Sequence, residues 1–432
     1  MSTTDAPAQP QALRIPPPFR RDRLVHAWLV VKALSDAGDA VWTIAVAWTA
    51  VQIASPAVAG LVVAAGTIPR ALVLLLGGAI ADRTDARRVM IIVNVLRTAV
   101  LLGAAAWTLT AAPTVAMLLV ATIAFGVCDA FFEPSAGTIP RRLVRPADLP
   151  TYSALSQTLS RLGTLAGSAV GGFLVAASGL GGSASVNAVA YVVVIAFLAL
   201  WLRPRFVLPR TAGKDSVLHD VAAGFRHLRE NPATRILVIA LSGLNLASGP
   251  AVAIGIALQA TAQGWGAGSV GIFEAMIGGG AMIGSVVVLR WRPRREALAG
   301  FQALLVQGLA VVLLGVGSPW AVGAGCLLIG LTAGFASVLL SATFAGTVAP
   351  DHLGRMSSIT RLGDDCLMPL AMAAFGALAA VAPLWVPFAV YGGAMAALMT
   401  LPLSRPFFRT MSLRETAVHS TAPEPRSDAP TG

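Results

Sequence analysis

The chain has 432 residues, of which 56% are hydrophobic and only 12% charged, where a soluble globular domain carries about 25% charged residues. Its mean hydropathy of +0.76 excludes a soluble globular protein and points to many membrane spans. The net charge of +11 does not imply a nucleic-acid partner, because the arginines gather at alternate span ends, as topology signals do. Few aromatic residues and abundant small ones favour packed helices over a membrane barrel.

Residues 1–24 are polar, Pro-rich and Arg-bearing, and predict a cytoplasmic tail. The first apolar segment is too long for a signal peptide and is expected to stay as span one. Twelve candidate spans follow, near 25–53, 57–81, 89–110, 114–137, 152–177, 184–202, 235–259, 269–289, 298–316, 320–343, 358–381 and 385–404. Each is near the roughly 20 residues of helix that cross a bilayer. Ser55-Pro56, Ala112-Pro113, Ser318-Pro319 and Ala382-Pro383 punctuate the turns.

Span one carries Lys32, Asp36 and Asp39 on one helix face. Lys32 and Asp36 can form a simple ion pair, which leaves Asp39 without a local partner. Either acid could serve reversible protonation; fixed structural pairing is the alternative. Span two carries Arg70 after Pro69, a cavity candidate near mid-depth. Arg97, Asp129, Glu133 and Arg161 follow in spans three, four and five. Ionisable groups at this depth cost several kcal/mol unless paired or hydrated. Arg97, Glu133 and Arg161 are expected to form a structural latch near the inner face, and Asp129 to lie deeper, in the cavity.

Residues 204–234 predict a cytoplasmic linker with an amphipathic helix through Leu218, Val221, Phe225 and Leu228. Span seven offers Ser242, Asn245 and Ser248. Glu274 stands alone in span eight, and Asp364 and Asp365 lie beside Arg361 in an expected inner-face charge cluster. Residues 405–432 predict a disordered cytoplasmic tail. Cys128, Cys326 and Cys366 fall in apolar spans without disulfide or metal spacing. The five histidines lie near span ends or in cytoplasmic segments, so no enzymatic set, metal site or cofactor is expected.

The connections with Arg20, Arg21 and Arg23, with Arg83, Arg87 and Arg88, and with Arg141, Arg142 and Arg145 are basic. The same alternation continues to Arg405 and Arg409. The opposite connections, 54–56, 111–113, 178–183, 260–268, 317–319 and 382–384, hold no Lys or Arg. The positive-inside rule then puts both termini in the cytoplasm. The chain also repeats: a shift of 207 positions places Gly77 on Gly284, Arg83 on Arg290, and Arg87-Arg88 on Arg294-Arg295, while Asp82 falls on Leu289. The expected fold is therefore an all-α integral membrane protein of twelve transmembrane helices, as two pseudo-symmetric six-helix bundles, 25–203 and 235–404.

The loop Gly77-Gly78-Ala79-Ile80-Ala81-Asp82-Arg83-Thr84-Asp85-Ala86-Arg87-Arg88 resembles the signature between spans two and three of the major facilitator superfamily. Asp85-Ala86 stands where that pattern has a glycine. Gly163, Gly167, Ser168, Gly171 and Gly172 in span five resemble the antiporter motif of drug exporters, with Ser168 in place of its proline. Ser35-Asp36-Ala37-Gly38-Asp39 and Phe131-Phe132-Glu133-Pro134-Ser135 resemble the macrolide-efflux and enterobactin-exporter branch.

The resemblance implies alternating access, with Asp36 or Asp39, Asp129 and Asn245 in a cavity lined by spans one, four, seven and ten. It implies a conformational latch of Gly78, Asp82, Arg83, Arg87, Arg88 and Glu133, in which Arg83 or Arg87 reaches Glu133. No phosphate-binding loop of the G-x-x-x-x-G-K-[ST] form is present, so the energy is expected from an ion gradient. The expected function is proton-coupled efflux of a small organic compound (a drug, siderophore or secondary metabolite) across a bacterial inner membrane. An uptake permease and a non-transporting membrane sensor are the alternatives. The expected partners are this small-molecule substrate, protons and the lipid bilayer.

Overall fold

The computed structural model describes residues 11–12, 17–69, 85–203, 205–207, 226, 228–348 and 353–410. Its helices in chain order are α1 (Arg23–Ile53), α2 (Pro56–Ala65), α3 (Ala86–Thr110) and α4 (Val115–Leu143). A run over Leu149–Leu200 is broken at Gly179 into α5 (149–178) and α6 (180–200). Then come α7 (Pro232–Ala262), α8 (Ala267–Arg290), α9 (Glu296–Leu314), α10 (Pro319–Thr347), α11 (Leu353–Val381), α12 (Trp385–Ser404) and the short α13 (Pro406–Thr410). Among the described residues nine helical runs are long and apolar enough to cross a membrane, the run to Leu200 counted once. Helix α1 is long enough at 31 residues, but Lys32, Asp36 and Asp39 lower its hydropathy.

Polar caps start several of these helices. Asp22, Thr114 and Ser318 accept the backbone N–H groups of Val25, Met117 and Ala321, satisfying donors that a helix start leaves open. Asp22 is also paired with Arg205. Beside that pair, Gln11–Ala12 (β1) runs antiparallel to Phe206–Val207 (β2), so the N-terminal tail is tied to the start of the linker. Most of the expected amphipathic helix lies outside the described residues. Leu228 is described, and it packs with Val238, Met356 and Ile359.

Three expected spans differ in outline. The loop expected at 178–183 shrinks to Gly179, whose φ of 64° and ψ of −164° are open to glycine alone. The expected span 57–81 is helical to Ala65, turns at Gly66 and Thr67, and is helical again at Ile68 and Pro69; residues 70–84 lie outside the described set. Span seven widens into a π turn at Ala251–Gly255, directly after Pro250, where the missing N–H interrupts the α ladder.

Helices before residue 203 pack mainly on one another, as do those after 231. The two groups meet mainly along α2 with α11 and α5 with α8, and also where α1 touches the end of α7. Glycine makes both main seams. A β-carbon on Gly60 would sit 2.9 Å from Met372 O, and one on Gly271 would sit 2.7 Å from Ala169 O. Small residues of this kind let membrane helices approach closely. Large apolar side chains such as Val30, Leu61, Ile92 and Val120 are exposed on the outside. Exposed tryptophans ring the two ends: Trp107, Trp320 and Trp385 at one, Trp201 and Trp291 at the arginine-rich other, the places of interfacial anchors.

Candidate functional site

The centre of the site is Arg97, in the middle of α3 and only 1% exposed. Its guanidinium Nη2 donates to Asp129 Oδ1 of α4. Its Nη1 lies 3.7 Å from Asp39 Oδ1 of α1, an ion pair without a direct hydrogen bond. The rings of Phe132, Phe125 and Tyr191 surround it, with centroids 4.6, 5.2 and 5.4 Å from Cζ. Aromatic faces attract a cation and exclude water from it. The Tyr191 hydroxyl donates to Asp39 Oδ1 at 2.5 Å. One turn earlier in α6, Asn187 Nδ2 donates to Gly38 O at 2.8 Å, which fixes α6 against α1 at this level.

Asp39 and Asp129 are each between a quarter and a third exposed. They open on a cavity of about 190 Å³ walled also by Trp42, Phe125, Ala253 and Met372. That is room for about six waters at roughly 30 Å³ each. The turn at Gly66 and Thr67 forms part of the wall. It is held there by close packing, since a β-carbon on Gly126 would collide with Gly66 O. Two carboxylates around one guanidinium leave one excess negative charge when both are ionised. A proton or a cationic group in the cavity would cancel it.

The remaining expected site residues separate. Asp36 is held by Lys32 at 2.9 and 3.2 Å, and Lys32 also reaches Ser160 Oγ of α5 at 3.5 Å. Arg97, expected in a latch with Glu133 and Arg161, pairs instead with Asp39 and Asp129, because α1 and α4 both turn a carboxylate toward the middle of α3. Glu133 is half-buried in α4 and Arg161 is exposed on α5. Asn245, expected in the same cavity as the acids, donates to Asp364 Oδ2 at 2.7 Å. It lines a separate cavity of about 570 Å³ with Ser337, Ser341, Phe344 and Thr360.

Arg87, expected to reach Glu133, donates to Leu198 O and Ala199 O at 2.7 and 2.6 Å. It thereby satisfies carbonyls that the end of α6 leaves open. Arg88 lies 3.8 Å from Asp85 in an exposed pair. Arg70, Gly78, Asp82 and Arg83 fall outside the described residues.

The glycine motif of α5 has two faces. Gly163, Gly167 and Gly171 lie against Ala33, Ala37 and Val41 of α1, each pair one turn beyond the last. Gly172 lies against Gly271 of α8. Ser168 is buried between them, and the helix is unbroken from 149 to 178. The aromatic cage of Phe125, Phe132 and Tyr191 carries no sequence signal of its own. The one available hint is that an arginine in mid-span needs acids and rings around it.

The sequence profile of the Major Facilitator Superfamily matches residues 29–364. The chain belongs to this superfamily. It is a multi-pass membrane protein of a transporter family. The enterobactin exporter EntS of Shigella boydii serotype 18 is 26% identical over 296 residues, covering 66% of this chain and 68% of that protein. EntS of Escherichia coli O139:H28 gives the same figures. Among solved structures, the nucleoside transporter NupG superposes with a TM-score of 0.66 at 14% identity, over 88% of this chain and 98% of its own. The inward-open xylose transporter XylE from E. coli superposes with a TM-score of 0.66 at 13% identity, over 91% and 99%. At such identities these superpositions carry the superfamily fold alone.

Proposed function

We propose that the protein is a twelve-span secondary transporter that exports a small organic compound in exchange for protons. Two six-helix bundles, 25–203 and 235–404, would rock about the cavity at Asp39 and Asp129. The observation that carries this reading is the sharing of Arg97 by those two carboxylates at the cavity wall. With both acids ionised the group holds one net negative charge. Protonation of either acid leaves a neutral pair with Arg97. Proton and cavity occupant then compete for the same charge, which is the requirement of exchange. Asp39 suits the proton-accepting role because it faces the cavity and is bound by a hydroxyl of α6. Asp36 is already matched by Lys32.

Export is favoured by the EntS relatives, which are named enterobactin exporters. The conformer is read as closed at the end away from the arginine-rich loops. There Gln52 Nε2 of α1 donates to Thr261 Oγ1 of α7 at 2.9 Å, and Gly60 abuts Gly376. With the arginine-rich end in the cytoplasm of a bacterial inner membrane, that conformer is inward-facing.

The deciding experiment is dye accumulation in cells expressing the protein, with and without an uncoupler. Lower accumulation that the uncoupler reverses is the expected result. Asp39→Asn should lower the uncoupler-sensitive efflux by about a hundredfold or more, the size of one proton-transfer contribution, while the protein stays in the membrane. Unchanged efflux in Asp39→Asn would eliminate Asp39 as the proton site. Topology is checked separately with Cys366 replaced by Ala. A cysteine placed within 178–183 should react with an impermeant maleimide in intact cells, and one within 83–88 should not. Reversed labelling would overturn the orientation.

A further inference from the structure

Helix α5 has four sides, distinguished by what they touch. Gly163, Gly167 and Gly171 lie against α1. Leu165, Ala169 and Gly172 meet α8 at Gly278 and Gly271. Leu162, Val170 and Phe173 are exposed and apolar, and form the lipid side. The fourth side, between the α1 and α8 contacts, carries Ser153, Gln157, Arg161, Thr164 and Ser168. Spacings of four, four, three and four put these residues on one helical face. The first four are exposed. A polar, exposed face with a helix contact along each edge fronts the space between the two helix groups, not the lipid.

Arg161 is the charge on that face. The contacts of its neighbours set its depth: Ser160 lies at Lys32, and Gly163 at Ala33. It therefore stands about two helical turns, roughly 10 Å, from Asp39 toward the arginine-rich end. A guanidinium at membrane depth is costly unless hydrated or paired. The nearest cations have their partners, Lys32 with Asp36 and Arg97 with Asp39 and Asp129. Arg161 has no hydrogen bond or ion pair among the described residues. On α8, the helix of the second group that packs against α5, no Asp or Glu follows Gly278.

We propose that Arg161 anchors an anionic group of the transported compound, a carboxylate or a comparable planar oxyanion. The guanidinium offers a fork of N–H donors that matches such a group in two parallel hydrogen bonds. Gln157 and Thr164, one turn to either side, supply neutral donors beside it. The occupant's anion would lie at the Arg161 level, about 10 Å from Asp39 and Asp129, and a cationic group elsewhere on the compound would meet their negative charge. This inference rests on the transport reading above for what occupies the cavity, but its test does not need transport.

The test is equilibrium binding to the purified full-length protein in lipid nanodiscs, read by quenching of tryptophan fluorescence. The probes are 1-naphthoate and 1-naphthamide, which share a ring system and differ in charge. Naphthoate should bind about tenfold to a hundredfold more tightly, the size of a hydrogen-bonded charge. Arg161→Gln should erase that preference without weakening naphthamide. Arg161→Lys should keep part of it, because a point charge remains but the fork is lost. Equal affinity for the two probes in the wild type, or a preference that survives Arg161→Gln, would overturn the assignment. Arg161→Gln that slows dye efflux but keeps the naphthoate preference would make the residue part of a gate instead. No gradient is present in this measurement. A failure of proton-coupled export therefore shows only in the uncoupler experiment.

Discussion

Arg97→Gln is expected to lose transport entirely and to destabilise the protein by about 3–5 kcal/mol, the cost of leaving one side of a buried ion pair without its partner. The substitution removes the one positive charge between Asp39 and Asp129. The net charge of the cluster would then go from minus one to minus two beside a small cavity. It also removes the cation held by three aromatic rings. The measurement is thermal unfolding of the detergent-extracted protein, alongside dye efflux. Adding Asp129→Asn should restore part of the thermal stability, because the net charge returns to minus one. It should not restore coupled efflux, because the shared cation is gone. An Arg97→Gln protein with wild-type unfolding behaviour would show that the cluster does not hold α1, α3 and α4 together.

The second large effect is expected at Gly167. A β-carbon there would collide with the carbonyl oxygen and Cα of Ala37. Those are backbone atoms of a neighbouring helix, so no side chain can swing aside. Gly167→Val would force α5 off α1 along the whole row that includes Gly163 and Gly171. Overpacking a tight interior costs typically about 1–3 kcal/mol and more where nothing can relax. The loss should show as little or no monodisperse protein on gel filtration after extraction. Gly103→Ala is the matched control, because a β-carbon there meets nothing within 4 Å, and it should behave as wild type. Equal yields from the two variants would mean that the α1–α5 seam tolerates separation.

Much of the fold is readable before any coordinates. Apolar runs of the right length mark the spans, and Ser-Pro and Ala-Pro pairs mark their ends. Asp39, Arg97 and Asp129 stand out because each interrupts an apolar run at a depth where charge is costly. What the chain does not display is which helices face one another. Arg97 and Asp129 are 32 positions apart and Tyr191 and Asp39 are 152 apart. Nothing local distinguishes that pairing from one with Glu133 or Arg161.

Arg87 shows the same limit. Its charge is legible, but its partners are two backbone carbonyls at the end of α6, and carbonyls are the same in every residue. The small-residue spacing of α5 is likewise visible. Its register against Ala33, Ala37 and Val41 is a property of two surfaces together. The break at Gly179 falls inside the connection expected at 178–183, but which residue of that stretch makes the turn is not legible. One glycine among many small residues carries no mark that it alone adopts a conformation closed to the others.

The tryptophan rings at the two ends of the molecule bear on the lipid as well as on the protein. At 1.5 Å per residue, the 24 residues of α8 span about 36 Å, and the 19 of α9 span about 28 Å. A typical hydrocarbon core is about 30 Å thick. The perimeter therefore presents lipid with spans both longer and shorter than itself, pinned at their ends by amphipathic rings that resist being pulled inward. Lipid must stretch beside one helix and compress beside another, or the helices must tilt. Acyl-chain length then sets how the helices lean, and the membrane's own thickness becomes one of the forces acting on the two groups of helices.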